Sequence, residues 1–362
     1  MNTTFFVNRY AQQPKRRSRS IAQSLLTALA LLAFATTLAL ADQTHAPTKL
    51  QQKRLNQQLL TAADEGDIKK VKSLVAHGAS IHAVGGKALL ILCTRELDPD
   101  VGRDHPVALV QYFIDHGADV NYGAGSETPL IVAAKNSNLE AACLLINKKA
   151  NLNARDSAGK SALLYSARLG GGEDGDYCDP TMADLLLRAG ANPNATDTDG
   201  NTALILLGSL EPAVPYSAAN HGDEPDANEI ADALIEHGAN VNAANKSGRT
   251  ALIAAANSEG MLGPFCKTSL AHILLAHGAR PNMVDKWGNT ALIRLAGITN
   301  IDSDNSSDVA FARDLVHHGA TVTLRNNHGN TALDIARKNQ LKRLVRFLEA
   351  QLTAKTPTST KK

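Results

Sequence analysis

Aromatic residues make up only 4% of this 362-residue chain, with seven Phe, six Tyr and a single Trp. One globular core of about 300 residues would draw on more ring surface, so the core here is expected to be Ala and Leu between close-packed elements. Cysteine is also scarce. Cys93, Cys143, Cys178 and Cys266 show no C-x-x-C pair and no zinc spacing, which excludes a cysteine-built metal module. The sequence holds no nucleophile elbow, no phosphate loop and no His-based zinc motif. Gly170–Gly172 is followed by Glu173 and Asp174, which would repel a phosphate. No reactive constellation is therefore offered, no metal site stands out, and no cofactor is implied.

Net charge is small, a formal +2, and even that is concentrated at one end. Residues 1–41 carry Arg9, Lys15, Arg16, Arg17 and Arg19 with no acid, and then an uncharged Leu- and Ala-rich run over Ala22–Ala41. The run ends Ala39-Leu40-Ala41, the small-x-small pattern of a signal peptidase site, just before Asp42. The expectation is an export signal cleaved there. The alternative is an uncleaved signal anchor, since about 20 apolar residues can cross a bilayer. Either form sends the rest of the chain out of the cytoplasm, to the periplasm or beyond, and only the anchor would hold it at a membrane. Without residues 1–41 acids outnumber bases, so no net-charge case for nucleic acid survives.

A short phrase recurs along the remainder. It reads KAL at Lys87–Leu89, TPL at Thr128–Leu130, SAL at Ser161–Leu163, and TAL at Thr202, Thr250, Thr290 and Thr331. HGA or a variant precedes each one, at His77, His116, Lys148, Arg188, His237, His277 and His318. From the HGA phrase to the next TAL phrase the step is 10, 12 and then 13 five times; from TAL to the following HGA it is 29, 20, 28, 35, 27 and 28. One half of the unit is nearly constant and the other absorbs every insertion. Repetition of this kind marks a solenoid whose units bury apolar faces only against their neighbours.

The bare 33-residue unit from Pro129 to Ala162, with its T-P-L start, its Val132-Ala133-Ala134 stretch and its helix ending before a turn, resembles the ankyrin repeat. The resemblance covers roughly 55–352. It implies an all-α solenoid of about eight stacked helix-turn-helix units with short β-turn fingers, after a leader (1–41) and a linker (42–54) and before a disordered tail (353–362). The constant half then supplies the finger, as in Asn192–Gly200, and the Thr of each TAL phrase suits a helix N-cap. Outer helices are expected over Met182–Ala189 and Ala231–His237, with glycines as C-terminal stops. One departure from the family is consistent: the His that often follows T-P-L is Ile131, Leu164, Ile205, Ile253 and Ile293 here, so apolar packing is expected to replace a polar tie.

The insertions, over 94–105, 170–180, 208–229, 257–268 and 297–308, hold 17 of the 35 acids against three bases. They all join an inner to an outer helix, so stacking should align them along one edge. Long solvated loops collect Asp in any case; the functional alternative is an acidic rim for a basic partner or Ca²⁺, with Asp174, Asp176, Asp179, Asp302, Asp304 and Asp308 as candidates. Asp302-x-Asp304-x-Ser306-x-Asp308 lacks the Gly and the bidentate Glu of an EF-hand loop. Cys178 and Cys266 lie in two of these loops and could pair only in an oxidising compartment. The recurrent histidines sit at helix ends, where a partly positive imidazole suits the C-terminal dipole.

The resemblance implies a non-catalytic protein–protein interaction module, a monomeric solenoid binding an unidentified protein partner with its finger tips and the concave face of its inner helices. On this chain the tips are Asp156, Ser157, Thr198, Asp199, Asn245, Lys246, Lys286, Trp287, Asn327 and His328, and the helix surface offers Lys135, Asn136, Arg168, Asn257 and Arg337. Trp287 is singled out because Trp is a favoured interface anchor and a turn is a poor place to bury one. The competing reading folds it back on the neighbouring finger. A secreted effector or enzyme accessory using the acidic loops is the second functional reading.

Overall fold

The computed structural model describes residues 48–94, 106–123, 125–167, 180–209, 227–257, 264–298 and 306–354. Among them are sixteen helices and no strand, in eight successive pairs. The pairs are α1 (Lys49–Glu65) with α2 (Ile68–Ala76), α3 (Ile81–Cys93) with α4 (Pro106–Asp115), α5 (Pro129–Lys135) with α6 (Leu139–Asn147), and α7 (Ala162–Ser166) with α8 (Pro180–Arg188). Then come α9 (Ala203–Gly208) with α10 (Ala227–Glu236), α11 (Ala251–Asn257) with α12 (Pro264–Ala276), α13 (Ala291–Ala296) with α14 (Ser306–His317), and α15 (Ala332–Lys338) with α16 (Lys342–Ala354). The first helix of each pair packs on the first helix of the next, and from α4 onward the second helices do the same. The result is a two-layered row, the solenoid that the repeats predict.

Several inner helices have only five to seven residues, too few to persist alone. Two things hold them. At five starts a Thr hydroxyl accepts a backbone N–H three residues on, from Ile131, Ile205, Ile253, Ile293 and Asp334 at 3.2–3.4 Å, while Ser161 at the start of α7 makes no such bond. The helices themselves contribute to a continuous Ala/Leu/Ile core, and Ile131, Leu164, Ile205, Ile253 and Ile293 are all buried. The apolar residue in place of the family's His therefore packs as expected. In the terminal unit the same position is Asp334, which forms a reciprocal capping box with Thr331.

Two boundaries differ from the sequence reading. Helix α1 starts at Lys49, inside the stretch expected as linker, because Thr48 and Gln51 form another capping box. The second unit has no finger: α3 runs unbroken from Ile81 to Cys93, capped by Ser80, and carries Lys87 in its middle. This helix lies close to the following turn. A Cβ placed on Gly86 would stand 2.2 Å from Cγ of Tyr122, so only glycine permits the approach.

Four of the outer helices begin within acidic windows rather than after them, while α4 begins at Pro106, directly after 94–105. Pro106, Pro180 and Pro264 open three of these helices, as a residue without an N–H suits a first turn. Glu229 and Asp308 lie in the first turns of α10 and α14. No helix among the described residues is long and apolar enough to cross a membrane. The leader, and the Asp174, Asp176, Asp179, Asp302 and Asp304 of the rim, lie outside the described residues, as does Cys178.

Candidate functional site

Five fingers share one design. In each, the side-chain Oδ1 of an Asp or Asn accepts the backbone N–H groups two and four residues on. Asp156 holds Ala158 and Lys160, Asp197 holds Asp199 and Asn201, Asn245 holds Ser247 and Arg249, Asp285 holds Trp287 and Asn289, and Asn326 holds His328 and Asn330, all at 2.8–3.1 Å. A Gly three residues after the Asp or Asn completes each turn. Gly288, at φ 77°, takes a conformation that L side chains rarely adopt, and a Cβ there would meet the Asn327 amide nitrogen of the next finger at 2.9 Å.

The fingers are also joined to one another. Thr198 N–H donates to the Ala158 carbonyl, Lys246 to Asp199, Lys286 to Ser247 and Asn327 to Trp287, at 2.8–3.0 Å. Below them runs a second set of ties that the sequence reading did not find. Asn194, Asn242 and Asn282 each donate their amide to the helix-end carbonyl of the next unit (Gly238, Gly278, Gly319) and accept the N–H of Asn240, Arg280 and Thr321. The recurring Asn four residues after the Gly of HGA or its variants is the signal that could have revealed them.

Trp287 keeps part of its ring at the surface. It is 39% exposed, and two cations stand over its ring, Lys286 Nζ 4.3 Å and Arg294 Cζ 4.8 Å from the centroid. Arg294 comes from the inner helix α13, nine residues after Asp285. Its Nε donates to Asp285 Oδ2 at 2.7 Å, and its Nη2 reaches the same oxygen. The buried Asp285 thus uses one oxygen for the turn and the other for the guanidinium on which the indole stacks. Arg249, from the preceding finger, is half-buried beside this group. Burial first, and then the charge of Arg294, hold its pKa below the usual arginine value, with Asp285 acting in the opposite sense. Its Nε is buried and meets no hydrogen-bond partner.

The same nine-residue relation appears three units earlier, where the Tyr165 hydroxyl donates to Asp156 Oδ2 at 2.6 Å. Lys135 and Lys160 lie 5.9 and 5.4 Å from the Tyr165 ring centroid, and Lys135 pairs with Glu127 at 3.0 Å. Lys135 therefore belongs to the same face. Thr198, Asp199, Lys246, Lys286 and His328 all present exposed side chains on the fingers. Asn245 is different, because Oδ1 closes its own turn and Nδ2 donates to Asn201 Oδ1 at 2.7 Å. Asn136 bonds back to the Val132 carbonyl, and Asn327 Nδ2 to the Lys286 carbonyl. Arg337 is drawn to Glu349 of α16 at 2.7 Å, at the closing end of the row. Arg168 lies outside the described residues.

The helix-end histidines act locally. Nδ1 of His77, His116, His237 and His318 donates to the carbonyl four residues before, at 2.7–2.9 Å, capping the end of the outer helix. Cys93 is sealed in the core, where burial pushes its thiol up to about 12, while Cys143 is exposed. A pKa so far above neutral leaves the Cys93 thiol protonated and inert.

Comparison with known proteins agrees with this geometry. A family profile described as "Ankyrin repeats (3 copies)" matches residues 59–156 and 100–197, and one described as "Ankyrin repeat" matches 199–246. The human and Pongo abelii proteins named "Ankyrin repeat and SOCS box protein 11" are each 34% identical over 109 residues, covering 29% of this chain and 31% of theirs. The ankyrin repeat domain of Bcl-3, described as a member of the IkappaB protein family, matches 81% of this chain and 97% of its own, with a TM-score of 0.50 and 23% identity. An ankyrin repeat domain from Acinetobacter baumannii matches 61% of this chain and 96% of its own, with a TM-score of 0.48 and 24% identity.

Proposed function

Because the chain belongs to the ankyrin-repeat family, whose repeats are protein–protein interaction modules, we propose that it binds a protein partner on its finger and inner-helix face, without catalysis and outside the cytoplasm. The observation that carries the binding face is Trp287. It is a large, part-exposed ring made rigid by the Asp285–Arg294 pair beneath it and a backbone tie to the next finger. Rigid, amphipathic and flanked by exposed polar tips, it has the properties of an interface anchor. Export is supported by the five bases, the uncharged run and the Ala39-Leu40-Ala41 ending of residues 1–41.

Two measurements test the halves separately. Replacing Trp287 with Ala should lower affinity for the partner captured from the exported compartment by about 2 kcal/mol, roughly thirtyfold, while the melting curve barely moves. Unchanged capture by the variant would refute the face. Residues 1–60 fused to a reporter active only outside the cytoplasm should give signal, and the processed chain should begin at Asp42; a silent reporter would refute export.

A further inference from the structure

The two aromatic positions on this face differ in charge balance, and the difference points to what each can take. Around Tyr165 the cations Lys135 and Lys160 are matched by Glu127 and Asp156. Around Trp287 stand Lys286, Arg294 and Arg249, with Asp285 as the carboxylate among them. Asp285 is already saturated: Oδ1 holds the N–H groups of Trp287 and Asn289, and Oδ2 holds Arg294. Nothing in that carboxylate is left for Arg249, whose buried Nε goes unmet. The neighbouring finger tip adds Lys246, which is exposed and tied by its backbone to the row.

We propose that the patch formed by Arg249, Lys286, Trp287 and Arg294 binds an acidic peptide segment of the partner, with a Glu or Asp carboxylate taken between the two arginines and the adjoining peptide over the indole. The proposal rests on the binding face described above and adds the chemistry of its ligand. A carboxylate entering there offsets the repulsion between the Arg249 and Arg294 guanidinium groups, which the single Asp285 carboxylate, already engaged by Arg294, does not balance. A cationic segment would meet three like charges, and a neutral one would leave Arg249 as it is, so specificity follows from both attraction and repulsion. Arginine suits this role better than lysine because its planar fork matches a carboxylate in two bonds.

Trp287 is the chain's single Trp, so its emission reports on this patch alone. The full chain should be titrated with an octaglutamate peptide, with octaglutamine and an octapeptide of phosphoserines as the comparison arms. Octaglutamate should change the emission saturably, with an affinity that falls as salt rises. Replacing Arg249 with Gln should weaken it about tenfold, the effect of losing a charged hydrogen bond. Lys286→Gln, on an exposed tip whose loss cannot unfold the row, should weaken it about threefold, and Lys53→Gln, on the exposed surface of α1 at the other end of the row, not at all. An octaglutamate response that is absent, or that ignores both Arg249→Gln and Lys286→Gln, overturns the proposal. So does equal binding of octaglutamine, or far tighter binding of the phosphoserine peptide. If octaglutamate fails but Trp287→Ala still reduces partner capture, the face stands and only its assigned chemistry falls.

Discussion

Asp285→Asn separates the two jobs of the aspartate at the centre of the Trp287 finger. The amide keeps an Oδ1 for the N–H groups of Trp287 and Asn289, as Asn245 and Asn326 do for their own turns in the adjacent units. What it loses is the charge opposite Arg294. Breaking a fully buried ion pair by removing one partner costs about 3–5 kcal/mol. The Asp285 side chain is entirely buried but that of Arg294 is 21% exposed, so water recovers part of the loss. The expected destabilisation is about 2 kcal/mol. Asp285→Ala removes the acceptor of the two turn hydrogen bonds as well, and at about 1 kcal/mol for each bond it should cost about 4 kcal/mol in total. A third variant fixes the sign. With the carboxylate gone, Arg249 and Arg294 repel without compensation, so Arg249→Gln in the Asp285→Asn background should regain about 1 kcal/mol. Urea unfolding followed by Trp287 emission, together with hydrogen exchange at the Trp287 and Asn289 amides, measures all three. Asp285→Asn as stable as the parent would refute the ion pair's role, and equal loss of amide protection in the Asn and Ala variants would refute the division of labour.

Gly86→Ala should destabilise the chain by about 1–3 kcal/mol through overpacking on Tyr122, and Tyr122→Ala in the same chain should relieve part of it in thermal melts. Thr290→Ala should cost about 1 kcal/mol by removing the cap on Ile293 N–H, with Thr290→Ser close to the parent in the same urea assay. The backbone N–H and hydroxyl of Thr331 hold the Asp334 carboxyl below its ordinary range. Because its folded pKa is depressed, its stabilisation is complete above the unfolded value near 4 and fades as pH falls through the folded one. Amide protection factors in α15 should therefore drop below about pH 4, and Asp334→Asn should flatten that dependence. The effect should be small, since the group is exposed.

Much of this architecture is written locally. The TAL phrases mark inner-helix starts because Thr caps them, and the HGA phrases mark outer-helix ends because the His ring caps a carbonyl. The missing finger of the second unit has a local signature in the sequence. Its interval is short, and His82 stands where the other fingers have Asp or Asn, so no oxygen gathers the two N–H groups of the turn. Gly85 alone does not make one. At the site, Trp287 was visible as a lone ring in a turn, whereas Arg294 was not. A single Arg in the apolar helix Ala291–Ala296 reads as a solvated edge until the fold brings it over Asp285. Arg249 is further removed still, since its importance depends on a neighbour in the next unit. Spacing within one unit reveals what a side chain does for its own turn, while relations between units need the stack.

The asparagine ties of Asn194, Asn242 and Asn282 make the same two bonds to the unit that follows. A joint that repeats without change is an interchangeable coupling. A duplicated interior unit would carry its own socket and plug, and could be spliced between existing neighbours without any compensating change in either. The two ends lack that freedom, since α1 begins, and the final finger leads into α15, with a capping box in which the helix closes on itself. Such a chain gains length from the middle outward, and each insertion carries the Trp287 patch further from one terminus while leaving its immediate surroundings intact.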